Sequence, residues 1–415
     1  MPEYQFIDRQ HQLDLAVSSL GNVEYMGVDT ESSGYYTYFS ELCLIQISAG
    51  TQHYIIDTLV GLDMDGLGRL FADPKITKIF HAAGSDITEL RRDLGHNVQN
   101  VFDTMIACRM LGHASCSLQS LVKHYKNIEL EKKEQKSNWK KRPLTRSQLD
   151  YANLDTVYLE ELRETMSAEL SELGLREEIQ QEFDWIAGRT SSAGEPETPA
   201  EPEAERELDE FAWLKVRGAA DLAPRDRGVL RELYLLRDQR ARKENLASFR
   251  LVTNDALLRL VRRRPKNQQE LGQLRVLHPA MLRKDGDRVL AALATTQEIP
   301  DSALPQPERD ENPELRALVR RLKRWRGRIA DYRGMDPSMI VTNKALFRIA
   351  ESKPADLSDL KGLELLTEWK TELYGVDLLD IVNDRYNGQL PADLPRLPEE
   401  VRAARAERAS NNGRK

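Results

Sequence analysis

Four carboxylates and a phenol in this 415-residue chain have the types and spacings that phosphoryl chemistry on hard metal ions needs. Asp29 and Glu31 flank Thr30 in VDTE, Asp86 closes HAAGSD (His81–Asp86), and Tyr151 and Asp155 bound YANLD. Residues i and i+2 of a strand project to one face, so Asp29 and Glu31 can approach a common ion. The small residues Ala82, Ala83, Gly84 and Ser85 permit a tight strand-to-helix connection ahead of Asp86. An i,i+4 pair on a helix shares a face, which sets Tyr151 beside Asp155. Each element alone has an ordinary explanation: a solvated strand end, a first-turn acid favoured by the helix dipole, an amphipathic face. Together they suit two divalent cations, Mg²⁺ or Mn²⁺, about 3.5–4 Å apart, with which water is activated and a leaving oxygen stabilised in an in-line displacement. Tyr151, with an ordinary phenol pKa of about 10, is a poor base and is expected to orient that water. His81 is expected to pack or hydrogen-bond, since hard ions prefer oxygen donors.

Strands and helices must position these groups. Tyr25–Glu31, Leu42–Ser48 and His53–Asp57 read as three strands whose short connections suit antiparallel neighbours. A helix over Leu67–Phe71, a strand over Lys78–Ala82, a helix over Ser85–Leu94 and a short strand ending at Phe102 follow. Helices are then expected over Asp103–Leu111, Ser117–Tyr125 and Arg146–Leu173. This pattern predicts an α/β domain over residues 1–189, a mixed sheet covered by helices.

The run TSSAGEPETPAEPEAERE (Thr190–Glu207) holds almost nothing apolar and cannot offset its ordering entropy, so 190–207 is expected to be an acidic flexible linker. Beyond it strand signals vanish and a repeat begins. LVTNDALLRL (Leu251–Leu260) matches IVTNKALFRI (Ile340–Ile349) at an offset of 89, and Pro265, Leu271, Gly286 and Leu290 match Pro354, Leu360, Gly375 and Leu379 at the same offset. Two all-α domains are expected, over 208–297 and 308–388, with 389–415 an unstructured tail.

The net charge of −7 does not exclude a nucleic-acid partner. Between Glu195 and Glu210 eight acids face the single Arg206, so the remainder is near neutral and carries basic clusters. These are Lys132, Lys133, Lys136, Lys140, Lys141 and Arg142, then Arg262–Arg264 with Lys266, and Arg316–Arg328. No apolar run approaches the ~18 residues of a membrane span, and the first residues lack a signal-peptide pattern. The three cysteines, Cys43, Cys108 and Cys116, include no C-x-x-C, so neither a disulfide framework nor a thiolate zinc site is expected. A cytoplasmic location follows. A phosphate-binding G-x-x-x-x-G-K-[ST] loop and a nucleophile elbow are both missing, which argues against NTPase and serine-hydrolase chemistry.

In order and spacing, VDTE, HAAGSD and YANLD resemble the three exonuclease motifs of the DEDD superfamily, and Tyr151 resembles the tyrosine of its DEDDy branch. FDTMIACRML (Phe102–Leu111) and KKEQKSNWKKRPLT (Lys132–Thr145) are similar to signatures of the ribonuclease D family, and the repeats resemble HRDC domains. The first repeat departs from that pattern, with Ser248-Phe249 where a proline commonly enters. The resemblance implies an RNase H-like catalytic fold and release of 5′-mononucleotides from RNA 3′ ends. It implies substrates such as tRNA precursors and other small structured RNAs, acted on by a monomer. Substrate contact is assigned to His81, Lys133, Gln135, Ser137, Trp139 and Arg142. For Trp139, stacking on a base and anchoring its loop both remain open. The repeats are expected to grip the body of a folded RNA, with the linker letting their positions vary. Rival readings are a DNA-directed exonuclease and a non-catalytic adaptor working through the repeats.

Overall fold

The computed structural model describes residues 2–131, 133–191, 209–277, 279–304, 313–391 and 394–395. Residues 192–207 of the expected linker, and most of the expected tail, lie outside them.

The first domain runs β1 (Gln5–Ile7), α1 (Gln10–Leu20), β2 (Tyr25–Ser32), β3 (Leu42–Ala49), β4 (Gln52–Asp57), α2 (Asp65–Ala72), β5 (Thr77–Phe80), α3 (Gly84–Leu94) and β6 (Val101–Asp103). Helices α4 (Thr104–Met110), α5 (Leu118–Lys126), α6 (Arg146–Val157), α7 (Leu159–Glu172) and α8 (Arg176–Ser191) follow. The six strands form one mixed sheet in the order β1-β4-β3-β2-β5-β6. β3 pairs antiparallel with β4, whereas β1 with β4, β2 with β5, and β5 with β6 are parallel. Every residue of β3 is buried, which accounts for its nearly unbroken apolar run LCLIQISA.

Several expectations need correction. β1 and α1 were not anticipated; β1 is three residues long, and α1 has no side-chain cap to announce it. Helix α8 was likewise missed. The single helix expected over 146–173 is two, broken at Tyr158 so that Leu159, Leu162, Met166 and Leu170 turn into a second core. A one-residue break leaves apolar periodicity almost unchanged, so the pattern could not reveal it. Cys108 and Cys116 are joined in a disulfide, with Cα atoms 5.7 Å apart, because the turn after α4 doubles back within eight residues.

The repeats are helical and built alike. The first comprises α9 (Pro224–Glu244), α10 (Ser248–Leu251), α11 (Asn254–Arg263), α12 (Gln268–Gln273) and α13 (Pro279–Leu293). The second comprises α14 (Pro313–Arg333), α15 (Pro337–Ile340), α16 (Asn343–Ser352), α17 (Leu357–Gly362) and α18 (Glu368–Val382). Equivalent residues do equivalent work. Thr253 and Thr342 accept from the N–H of Ala256 and Ala345 at the starts of α11 and α16. Arg237 and Arg326 each donate to the carbonyl of Val252 and Val341, at 3.0 and 2.8 Å.

The chain folds as two compact units. One joins the first domain to the second repeat; the other joins Ser32–Glu41 to the first repeat. In the first unit, side chains of α4, α7 and α8 share a core with α14, α16 and α18. The buried Arg333 donates to both oxygens of the buried Glu178, at 2.8 and 2.5 Å, and to the Tyr374 hydroxyl at 2.7 Å. A second repeat free to shift on a linker is therefore wrong: its apolar face and a buried ion pair are committed to the first domain.

Candidate active site

The chain places the carboxylates at the ends of β2, α3 and α6. Asp29 and Glu31 fall on β2, and Asp155 stands in the last turn of α6. Helix α6 begins with a reciprocal cap, the Thr145 hydroxyl accepting from Gln148 N–H at 3.2 Å while Gln148 Oε1 accepts from Thr145 N–H at 3.0 Å. That start sets the phase of Tyr151 and Asp155, which stand one turn apart on α6. A buried network of Ser48, Thr156 and His53 ties the end of α6 to the sheet, with Ser48 Oγ 2.6 Å from Thr156 Oγ1 and 2.8 Å from His53 Nδ1.

Carboxylate oxygens of Asp29, Glu31 and Asp155 lie within 4.8 Å of one another. Each residue keeps some surface open to solvent while protein surrounds most of it. Asp86, in the first turn of α3, accepts from Thr30 N–H at 3.1 Å and from the Thr30 hydroxyl at 2.6 Å. Thr30, between the β2 acids, thus fixes the acid of the next element.

Burial and mutual repulsion push all four acids up. Burial, then the Asp155 charge, holds Asp29 well above the usual carboxylate range; burial, then Asp29 and Asp155, does the same to Glu31. Asp86 is raised by burial and by Asp29. Burial pushes Asp155 up to about 7, with the Asp86 charge acting in the same direction. Tyr151 itself is raised, by burial and by Asp155.

The donor set fits a hard divalent cation: all ligand atoms are oxygens, and opposite oxygens on one Mg²⁺ stand about 4.2 Å apart. A cation would also relieve the repulsion that raises these carboxyls.

Residues 4–171 match the family described as 3′-5′ exonuclease, and 226–293 and 316–382 each match the HRDC domain. Ribonuclease D of Pseudomonas paraeruginosa is 30% identical over 392 residues, covering 91% of this chain and 97% of that protein. This chain belongs to the ribonuclease D family. Among solved structures, Escherichia coli RNase D, described as an exoribonuclease involved in structured RNA processing, aligns with a TM-score of 0.61 at 25% identity, over 92% of this chain and 99% of that one. The catalytic core of RRP6 from Trypanosoma brucei aligns with a TM-score of 0.60 at 26% identity, over 70% of this chain and 79% of that one. This ribonuclease D family member is a 3′→5′ exoribonuclease, a hydrolase with an exonuclease domain and two HRDC domains.

Of the six residues assigned to substrate contact, two need correction. Trp139 is only 2% exposed and packs among Cys43, Leu44, Ile55, Ala152 and Tyr151, so its ring has no face for a base. Arg142 donates to both oxygens of the buried Asp57, at 2.5 and 2.7 Å, and to the carbonyl of Cys43 at 3.2 Å. Both pin the loop before α6 to β3 and β4. Ser137 donates to Glu134, Lys133 pairs with Glu131 at 2.7 Å, and Lys133 and Gln135 are exposed. His81 Nδ1 lies 2.9 Å from the Thr104 hydroxyl, and burial pushes the imidazole down.

Two residues of the site escaped sequence reasoning. Glu89 stands one turn after Asp86, 3.4 Å from the Thr30 hydroxyl, and its charge acts on Asp29, Glu31 and Asp86. Its i+3 spacing from Asp86 was the available signal. The buried Asp103 accepts from the N–H groups of Ala82 (3.1 Å), Ala83 (2.8 Å), Met105 (2.8 Å) and Ile106 (3.2 Å). It holds the turn before Asp86, where Ala82 has φ of 70°, together with the start of α4.

Proposed function

We propose that Asp29, Glu31, Asp86 and Asp155 hold two divalent cations, Mg²⁺ or Mn²⁺, at which the chain releases 5′-mononucleotides from RNA 3′ ends. The observation that carries this is the convergence of the Asp29, Glu31 and Asp155 carboxylates within 4.8 Å. Bound there, divalent cations supply charge that makes a water acidic and offsets charge gathering on the phosphate. Thr30, by its N–H and hydroxyl, keeps Asp86 aimed at the β2 acids. The Tyr151 hydroxyl, one helix turn before Asp155, orients the water. It does not take the proton, because its own pKa is raised. Asp103 keeps the turn ahead of Asp86 in its left-handed conformation.

The substrates we infer are tRNA precursors and other small structured RNAs trimmed at their 3′ ends. The basic faces of the repeats support this reading. α14, for example, carries Arg316, Arg320, Arg321, Lys323, Arg324, Arg326 and Arg328. The enzyme acts as a monomer in the cytoplasm. Among the described residues no helix is long and apolar enough to cross a membrane.

The test is cleavage of a 3′-overhang RNA with Mg²⁺ or Mn²⁺, wild type beside Asp155→Asn, with products resolved by size. Stepwise mononucleotide release abolished by EDTA and by the substitution is expected. A folded, metal-loaded wild type that cleaves no RNA would sink the proposal, and faster cleavage of matched DNA would reassign the substrate.

A further inference from the structure

Glu31 is followed at once by a segment that folds with the first repeat. Ser32–Glu41 belongs to the unit containing α9–α13, and the chain returns to β3 at Leu42. The segment is tied to itself at Ser33, which is 1% exposed. Ser33 N–H donates to the Glu41 carbonyl at 2.9 Å, its Oγ accepts from Glu41 N–H at 3.0 Å, and Thr37 N–H reaches the Ser33 carbonyl at 2.9 Å. A displacement of the segment therefore reaches Ser33 as a block, two residues from Glu31.

The first repeat grips this block along its length. The Tyr38 hydroxyl donates to the buried Asp238 at 2.7 Å and accepts from Arg242 Nε at 3.0 Å. Phe39 N–H donates to Asn245 Oδ1 at 3.0 Å, and Ala247 N–H to the Tyr36 carbonyl at 2.9 Å. The Arg250 guanidinium lies 3.4 Å from the centre of the Tyr36 ring, and its Nε donates to the Tyr35 carbonyl at 3.2 Å.

The second repeat provides an internal control. At the offset of 89, residues that build the module are kept: Arg237 and Arg326, Val252 and Val341, Thr253 and Thr342. All the residues whose side chains grip the segment are changed. Asp238, Arg242, Asn245 and Arg250 become Gly327, Asp331, Gly334 and Met339. Ala247 and Ser248 become Asp336 and Pro337, where Asp336 caps α15. One contact survives in kind: Asp336 N–H donates to the carbonyl of Arg109 in α4, at 3.1 Å, as Ala247 N–H does to Tyr36. Both modules thus use the same loop as a clip on the exonuclease polypeptide, and the first has side chains specialised for the segment after Glu31.

We infer that the first repeat is a positioning element for the metal ligand Glu31, acting through Ser32–Glu41, with Asp238 and Arg250 as its principal positioning residues. This rests on the proposed role of Glu31. It differs from a purely RNA-gripping module in predicting effects on a substrate too short to reach a binding module.

The experiment uses the full chain with Asp238→Leu, Arg250→Leu and, from the segment side, Tyr38→Phe. Mn²⁺ affinity is measured by calorimetry without RNA, kcat and KM on a short single-stranded RNA, and unfolding by melting. Mn²⁺ affinity is expected to weaken about tenfold or more in the two leucine variants, as when the support of a metal ligand is removed, with a smaller loss in Tyr38→Phe. The loss in rate should fall on kcat, with KM changing less than about twofold. Asp238→Asn, which keeps an acceptor for the Tyr38 hydroxyl, should recover most of both. Wild-type Mn²⁺ affinity and kcat in variants that melt like wild type would overturn the proposal, as would losses confined to KM on structured RNA. A wild type that neither binds Mn²⁺ nor cleaves RNA would overturn it together with the function on which it rests. Should the leucine variants fail to fold, Tyr38→Phe decides, since it removes one hydroxyl and no packing volume.

Discussion

Gly27 in β2 faces the carbonyl of Thr156 so closely that a Cβ there would stand 2.9 Å from that oxygen and 3.1 Å from Cβ of Leu159. Gly27 precedes Asp29 by two residues, and Thr156 follows Asp155. The bare glycine therefore sets how near the end of α6 comes to β2, and with it the gap across the carboxylates. Gly27→Val must push the backbone of α6 outward, because the obstructing atom is a carbonyl and no rotamer relieves it. A displacement of about 1 Å can cost about 10²-fold in rate, and overpacking costs about 1–3 kcal/mol of stability. Single-turnover rates and thermal melts of the variant check both; wild-type rates would show that this contact does not set the site.

The raised carboxyls predict an unusual stability profile for the metal-free enzyme. A group whose folded pKa exceeds its unfolded value binds more protons when folded, so its contribution is present below the unfolded pKa and lost as pH rises through the folded one. Asp155, ordinarily near 3.8 and here about 7, should make the apoenzyme lose stability between those values, with Asp29, Glu31 and Asp86 acting in the same direction. Added Mn²⁺ should restore stability increasingly toward neutral pH, since cation and protons compete for the same oxygens. Melting temperatures against pH in EDTA and in Mn²⁺ test this, and a metal-free profile rising steadily from acid to neutral would contradict it.

Replacing one acid should separate activity from stability. Asp155→Asn removes a charge that raises Asp29 and Glu31. Its activity should fall at least about 10²-fold, as on loss of a preorganised charge-stabilising group, while the melting temperature in EDTA holds or rises. Tyr151→Phe should lose rate with little change in metal affinity. A large fall in the EDTA melting temperature of Asp155→Asn would argue that the acid is structural.

Trp139 provides a contrast between packing and binding. Its burial beneath α6 predicts that Trp139→Ala costs about 3–5 kcal/mol of stability, as for a large core aromatic. RNA affinity measured well below the melting temperature should be unchanged. A stable variant with weakened RNA binding would return Trp139 to the substrate.

Breaking the pair that joins the second repeat to the first domain should be equally legible. Arg333→Met leaves Glu178 charged and buried, with an expected cost of about 3–5 kcal/mol. Arg333→Met combined with Glu178→Leu should cost less than the single change. Urea unfolding of both proteins measures the difference, and additive losses would mean that the two residues are not coupled.

Local signals in the chain already determined much of this. Strand alternation and apolar runs located β2 to β6, and the offset of 89 announced two equal modules. Asp29 with Glu31, and Tyr151 with Asp155, could be set on shared faces from the sequence because i,i+2 and i,i+4 spacings fix faces within single elements. What only the tertiary structure decided depends on partners far apart in the chain. Asp103 meets the turn at Ala82, Asp57 meets Arg142, and Trp139 sinks beneath α6 because distant elements converge there. The gripping residues of the first repeat looked like ordinary surface polar groups until Ser32–Glu41 lay against them. Spacing within an element is set by local backbone geometry, but burial, repulsion between acids and the choice between packing and binding arise from which surfaces meet. No window of neighbouring residues contains that information.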